Sequence, residues 1–197
     1  MGKHESGYPR IPRDLYPTPT WPVEALLEHV SVKGLRILEP ACGTGGMSEA
    51  LKAAGALVHS TDIEDYGYAG FDGLADFTLS NPIEFRLDAI VTNPPFGSRG
   101  RLAEAFIEAG LALVGAGFMA LLLPADFDSA KTRRHLFGNC PRFAGKIVLI
   151  RRIKWFNQPG RSKCPKENSA WFLWGNVGLK SHPAPVICYA PTTEARS

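Results

Sequence analysis

The sequence predicts a doubly wound α/β domain whose mostly parallel sheet ends in an antiparallel hairpin. Short apolar runs alternate with helix-like stretches through most of the chain. A glycine-rich turn follows the first of these runs at once. Two longer, aromatic-rich runs stand near the end with no helix-forming stretch between them. A length of 197 residues suits one compact domain, and 45% hydrophobic against 21% charged residues suffices for a core. That composition excludes a wholly disordered chain.

Residues 1–13 are polar, contain proline and show no period, so they are expected as a mobile arm. The domain is expected over residues 14–180, with 181–197 as a tail. In LYPTPTWPVEALLEHV, Pro22 stands where a helix can begin, and Leu26, Leu27 and Val30 give it an apolar stripe. LRIL (35–38), ALVHS (56–60), LDAIVT (87–92) and GFMALLL (117–123) are predicted as buried strands, with helices over 46–54 and 101–114 between them. Parallel strands that are apolar throughout need cover on both faces, hence the doubly wound form. KIVLIRRIKWF (146–156) and SAWFLWG (169–175) are predicted as the terminal strands. The loop between them, NQPGRSKCPKEN, is too poor in helix formers for a crossover, so the two are expected to pair antiparallel. Most of Trp155, Phe156, Trp171, Phe172 and Trp174 are accordingly expected in the core.

Every apolar run is interrupted by Gly, Pro or charge, which excludes a membrane-spanning helix. Residues 1–13 contain no apolar stretch of the secretory kind. Cys42, Cys140, Cys164 and Cys188 show neither CxxC nor CxxH spacing, so no metal centre or disulfide scaffold is expected and a reducing cytoplasm is the natural home. The formal net charge of +3 hides an asymmetry. Residues 1–129 carry 9 basic and 17 acidic side chains, whereas residues 130–180 carry 12 basic ones against Glu167 alone. A basic block of this kind is the footprint expected of a face that binds a polyanion.

The turn in ILEPACGTGG (37–46) links a strand to a helix. Gly43 and Gly45, lacking a β-carbon, allow a tight turn and a close approach to a ligand. Asp62 follows Gly43 by 19 positions, at the end of the next predicted strand, where an open α/β sheet places the acid that holds two ribose hydroxyls. Two departures separate this turn from a dinucleotide site. Ser48 stands where the third small residue of that fingerprint belongs, and Glu39 puts an acid where a pyrophosphate would sit. An anion there suits a cationic ligand, and S-adenosylmethionine carries both an ammonium and a sulfonium.

Thr92-Asn93-Pro94-Pro95-Phe96 closes the strand LDAIVT, whose carboxyl end faces the ligand crevice in such a sheet. Two prolines make a rigid turn that cannot donate backbone hydrogen bonds. The Asn93 side-chain oxygen and the Pro94 carbonyl can both accept hydrogens from a substrate amine, and Phe96 offers a flat face for a planar base.

With these stretches the sequence resembles the class I S-adenosylmethionine-dependent amino-group methyltransferases, most closely the N6-adenine DNA type, from about Asp14 to Gly175. LYPTP resembles the segment that closes over the cofactor, with Tyr16, Thr18 and Pro19 matching. EPACGTG resembles the cofactor loop and implies methionine-moiety contacts at Glu39, Ala41 and Gly43. Asp62 matches the ribose acid, Ile63 an adenine cover, and ADF implies adenine-pocket roles for Asp76 and Phe77. NPPF matches the catalytic tetrapeptide Asn93, Pro94, Pro95 and Phe96. The resemblance further implies a seven-stranded, Rossmann-like sheet with the loop NQPGRSKCPKEN on the same rim as NPPF. There Arg161, Lys163 and Lys166 would grip phosphates beside a base swung out of its helix. The stretch after Phe96 leaves no room for a separate target-recognition domain, so sequence selection is expected to be loose, carried by loops or supplied by a partner subunit.

Three other readings stand beside this one. Cytosine C5 methylation needs a Pro-Cys nucleophile, and the chain offers only Cys140-Pro141 and Cys164-Pro165, the reverse order. The NPPF chemistry equally fits a base amine in RNA or a protein glutamine; the basic block favours nucleic acid. A catalytically silent, cofactor-binding partner subunit is the third.

Overall fold

The structure is a computed structural model that describes residues 14–79, 86–155, 167–178 and 186–189. Its elements run α1 (Thr20–Leu27), β1 (Arg36–Glu39), α2 (Gly46–Ala53), β2 (Leu57–Asp62), β3 (Gly73–Leu74), β4 (Ala89–Thr92), α3 (Arg101–Leu113), β5 (Phe118–Pro124), β6 (Phe143–Val148), β7 (Ser169–Gly175) and β8 (Val186–Tyr189). The strands form one sheet in the order β3-β2-β1-β4-β5-β7-β6-β8. Strands β1 to β5 pair in parallel, while β7 lies antiparallel between β5 and β6.

The strands are apolar throughout because both faces are covered. Along β5, Phe118, Ala120 and Leu122 join one core cluster, and Met119, Leu121 and Leu123 join the other. Strand β7 alternates likewise, with Trp171 and Leu173 on one side and Ala170, Phe172 and Trp174 on the other. Helices α1 and α2 cover the first face with Val23, Leu26, Met47 and Leu51. Helix α3 covers the second through Ala103, Phe106, Ile107 and Gly110, the spacing of one helical face. Each buried indole finds a backbone carbonyl, Trp171 at Pro22 and Trp174 at Leu136, both at 2.7 Å. The expectation that the aromatic run is core thus holds for Trp171, Phe172 and Trp174, which are fully buried. Trp155 is half-buried and meets Tyr16 edge-on; Phe156 lies outside the described residues.

Three sequence expectations need correction. The first strand of the terminal pair is Phe143–Val148, not 146–156. The apolar period continues past Val148 because Leu149 and Ile153 reach the core from irregular backbone. The sheet has eight strands among the described residues, since β8, inside the expected tail, adds in parallel to the outer edge of β6. The basic block of 130–180 is also less of a free face than its charge implied. Arg133 binds Glu104 at 2.7 Å, Lys146 binds Asp128 at 3.0 Å, and Arg142 donates to the carbonyls of Leu111 and Gly115 at the end of α3.

Candidate active site

The chain leaves β1 toward β2 on one side and reaches β4 on the other, so the crevice of an open sheet falls beyond the carboxyl ends of β1 and β4. A cavity of about 380 Å³ lies there. Its wall brings together Tyr16, Thr18, Glu39, Ala41, Gly43, Asp62, Ile63, Asp76, Phe77, Asn93 and Pro95, all singled out in the sequence. Pro19, Gly45, Pro94 and Phe96 are not in the wall. Gly45 holds the turn from behind: its φ is 84°, and a β-carbon there would lie 2.2 Å from the Tyr68 ring. Pro94 is buried, and Phe96 is half-buried against the second core cluster. Arg161, Lys163 and Lys166 lie outside the described residues.

The glycine-loop side is acidic and internally bonded. Glu39 ends β1 and is 2% exposed. Ser48 donates to its Oε2, and the Ser48 hydroxyl also meets that of Ser60 at 2.7 Å. The serine that departs from the dinucleotide pattern therefore ties α2 to the ends of β1 and β2. Burial pushes the Glu39 carboxyl up to about 8; the Ser48 hydroxyl opposes the rise and the Asp62 charge adds to it. Asp62 accepts the Gly43 N–H at 2.8 Å and the Ile63 N–H at 2.7 Å, which binds the glycine turn to the end of β2. Burial raises its carboxyl above the usual range against the pull of these two amides. The Cys42 thiol, pushed up to about 12 by burial and by the charges of Glu39 and Asp62, is a neutral wall residue rather than a nucleophile. Asp76 accepts from the Thr78 amide and hydroxyl at 3.0 and 2.7 Å, and Phe77 packs on Phe106 with centroids 5.0 Å apart.

The opposite side is built at the end of β4. The Asn93 Nδ2 donates to Thr18 Oγ1 at 3.1 Å, and among the described residues nothing donates to Asn93 Oδ1 or to the Pro94 carbonyl. Asp14 Oδ2 accepts the N–H of Phe96 at 3.1 Å and of Gly97 at 2.9 Å. Among the described residues, Asp14 (φ 53°) and Arg99 (φ 57°) are the non-glycine residues in the left-handed region, and both adjoin this tetrapeptide. No local pattern marks Asp14, whose partners lie 82 and 83 positions away. Leu102 and Phe106 of α3 also reach the wall, as does Tyr66, and sequence reasoning missed them as well.

In the segments that follow β4, β5 and β6 on the shared carboxyl rim, Arg99, Arg101 at the start of α3, Lys131, Arg151 and Lys154 are exposed. They form no ion pair among the described residues, although Arg151 lies over the Trp21 ring. The described residues contain no cluster able to hold a metal ion, and no described helix is long and apolar enough to cross a membrane.

No protein-family model matches this sequence and no curated protein matches it, but solved structures do. A candidate RNA methyltransferase from Pyrococcus horikoshii is similar at TM-score 0.57 and 18% identity, over 87% of this chain and 91% of that one. A modification subunit of a candidate type I restriction enzyme from Vibrio vulnificus is similar at TM-score 0.56 and 17% identity, over 98% of this chain and 49% of that one. The 16S rRNA N2 G1207 methyltransferase of Thermus thermophilus, in complex with AdoMet and guanosine, is similar at TM-score 0.51 and 19% identity, over 87% of this chain and 44% of that one. This chain thus spans just under half of the latter two proteins. At these identities the likeness shows the fold alone, an α/β fold with a mixed sheet that this chain shares with those methyltransferases.

Proposed function

We propose that this chain is an S-adenosylmethionine-dependent methyltransferase that acts on an exocyclic amine of a nucleic-acid base, with adenine N6 in DNA as the first acceptor. The observation that carries this is one cavity with Glu39, Asp62 and Asp76 in its wall and Asn93 in the same wall at the end of β4. The residues fit the cofactor. Buried carboxyl groups that ionise beside a cation favour an ammonium and a sulfonium over a phosphate, and about 380 Å³ falls within the range of small-molecule sites. Glu39, Ala41 and Gly43 would hold the methionine moiety, Asp62 the ribose hydroxyls, and Ile63, Asp76 and Phe77 the adenine, under Tyr16 and Thr18. Bound there, S-adenosylmethionine would supply an electrophilic methyl group with a thioether as its leaving group, and the surplus proton of the methylated amine would pass to solvent.

The chain's own task is orientation. The amine of a base is a poor nucleophile because its lone pair is delocalised into the ring. Asn93 Oδ1 and the Pro94 carbonyl, to which no described group donates, would take its two hydrogens and aim the lone pair at the methyl group. No strong general base is needed. The exposed rim cations support a polyanionic substrate, with Arg161, Lys163 and Lys166 as further phosphate ligands.

An RNA base is the second acceptor, favoured by the likeness to a candidate RNA methyltransferase and to an rRNA guanine N2 enzyme. Incubation with tritiated S-adenosylmethionine and, separately, duplex DNA, single-stranded DNA, total RNA and protein extract decides between them. Nucleoside analysis should find the label in N6-methyladenine of DNA. Label in an RNA nucleoside selects the second acceptor, and label in protein, or in nothing, overturns the proposal.

A further inference from the structure

Residues 14–18 touch both sides of the crevice. On the glycine-loop side they pack closely: a β-carbon at Gly43 would lie 3.0 Å from Leu15 Cδ1, and one at Gly46 would lie 3.0 Å from the Thr18 carbonyl. On the other side they hydrogen-bond. Thr18 Oγ1 accepts from the Asn93 side chain, and Asp14 Oδ2 accepts from two consecutive amides, those of Phe96 and Gly97.

These three bonds fix quantities that the tetrapeptide cannot fix alone. A carboxamide has a donating and an accepting end of nearly equal size, and its terminal torsion is broad. Only the oxygen end can accept a hydrogen from an amine. With Nδ2 committed to Thr18, Oδ1 is the end left for a substrate. Pro94 and Pro95 bring no N–H of their own, so this turn has few backbone bonds to hold its shape. The first amides after the prolines are the ones Asp14 takes. Asp14 does so from a left-handed backbone, which Asp and Asn tolerate better than most residues.

We propose that the strap formed by residues 14–18 is a positioning device for the amine acceptor. Thr18 holds the Nδ2 end of the Asn93 carboxamide and so leaves Oδ1 toward the substrate, and Asp14 sets the path of the chain after Pro95. This rests on Asn93 being the acceptor of the substrate amine. The strap therefore acts on the acceptor side as well as covering the cofactor side.

Four variants test it. Thr18→Val removes the hydroxyl and keeps the shape and the backbone carbonyl over Gly46, while Thr18→Ser keeps the hydroxyl. Asp14→Gly removes the carboxylate and relieves the backbone, while Asp14→Asn keeps an accepting oxygen. Amide exchange followed by NMR on the chain without cofactor should show Phe96 and Gly97 exchanging at least tenfold faster in Asp14→Gly and slowly in Asp14→Asn. Turnover on the labelled nucleic acid should fall about ten- to hundredfold in Thr18→Val, as expected of a misaligned reacting group, and recover in Thr18→Ser. The cofactor Kd of Thr18→Val should rise far less than its turnover falls, because the backbone carbonyl over Gly46 is kept. Wild-type exchange in Asp14→Gly, wild-type turnover in Thr18→Val, or a cofactor affinity that falls in step with turnover each overturns the proposal. A wild-type chain that methylates no nucleic acid overturns the function instead, and the exchange rates, measured on the chain alone, still uphold or overturn the strap.

Discussion

The two sides of the crevice are built on opposite electrostatic plans. On the glycine-loop side the charges are acids turned inward and held by near neighbours, Glu39 by Ser48 and Asp62 by Gly43 and Ile63. On the β4 side, the proposed acceptor side, they are exposed cations with no ion pair among the described residues, Arg99, Arg101, Lys131, Arg151 and Lys154. A small cationic ligand and a polyanion can thus approach one switch point from different directions, each meeting charge of the opposite sign. The two sides also differ in what holds them. The acidic side is fastened by bonds across 9 and 19 positions of the chain, the acceptor side by bonds across 75, 82 and 83. The first is set by the strand-turn-helix itself; the second waits on the whole fold.

The two sides should come apart under mutation. Asn93→Ala should lower turnover about a hundredfold or more by removing an orienting group, while calorimetry shows cofactor affinity nearly intact. Loss of both together would mean that one site serves both partners. Asp62→Ala should do the reverse, weakening S-adenosylmethionine by about 1.5–3 kcal/mol, the worth of hydrogen bonds to a charged group, and leaving polymer affinity in place. That binding should also survive EDTA.

Smaller effects sharpen the comparison at the rim. Arg99→Glu and Arg151→Glu should each weaken binding to all nucleic-acid sequences about equally. The slope of log affinity against log salt should fall by about 0.7–0.9 for each phosphate no longer neutralised. Lys33→Glu makes the same change of charge just before β1, on the opposite rim, and should leave that slope where it was. Equal slopes in all three would reduce the rim cations to a solvated edge.

The smallest effect is a proton. With the Glu39 carboxyl at about 8 in the folded chain against 4.5 ordinarily, the folded state keeps a proton that the unfolded state releases. Stability contributed by this group therefore falls as pH rises from about 4.5 to 8, and Glu39→Gln should remove that fall. A ligand ammonium favours the ionised carboxylate, so cofactor binding near pH 7 should release up to one proton. Titrations in buffers of different ionisation enthalpy would detect it, and its absence would part Glu39 from the ammonium.

Most of the acidic side was legible in the sequence because its parts are near one another along the chain. Gly43, Gly45 and Asp62 follow from turn chemistry and strand spacing, and Glu39 from its place at the end of an apolar run. Ser48 could be read only as the wrong residue for a dinucleotide site; its bond to Glu39 supplied the reason it is there. On the other side NPPF was legible as chemistry but not as orientation. Phe96, expected to face a base, packs on the core cluster beside α3 and outside the cavity wall. Asp14 and the exposed cations at 99, 101, 151 and 154 were not legible, because nothing in a local pattern separates a cation that will be paired from one that will not. Arg133 and Lys146 read the same way in the sequence and are bound inward.

By itself the sequence determined the apolar runs of β1, β2, β4, β5 and β7, the two-faced burial of the sheet, the glycine turn and the acid that follows it. These depend on backbone preference and on apolar spacing over a few residues. Only the tertiary structure decided that β7 enters between β5 and β6, that β8 extends the edge, and that residues 14–18 cross both sides of the crevice. Hydrogen bonds and ion pairs form over about 3 Å, and separations of 75 to 83 residues become that short only once the strands have stacked in their final order.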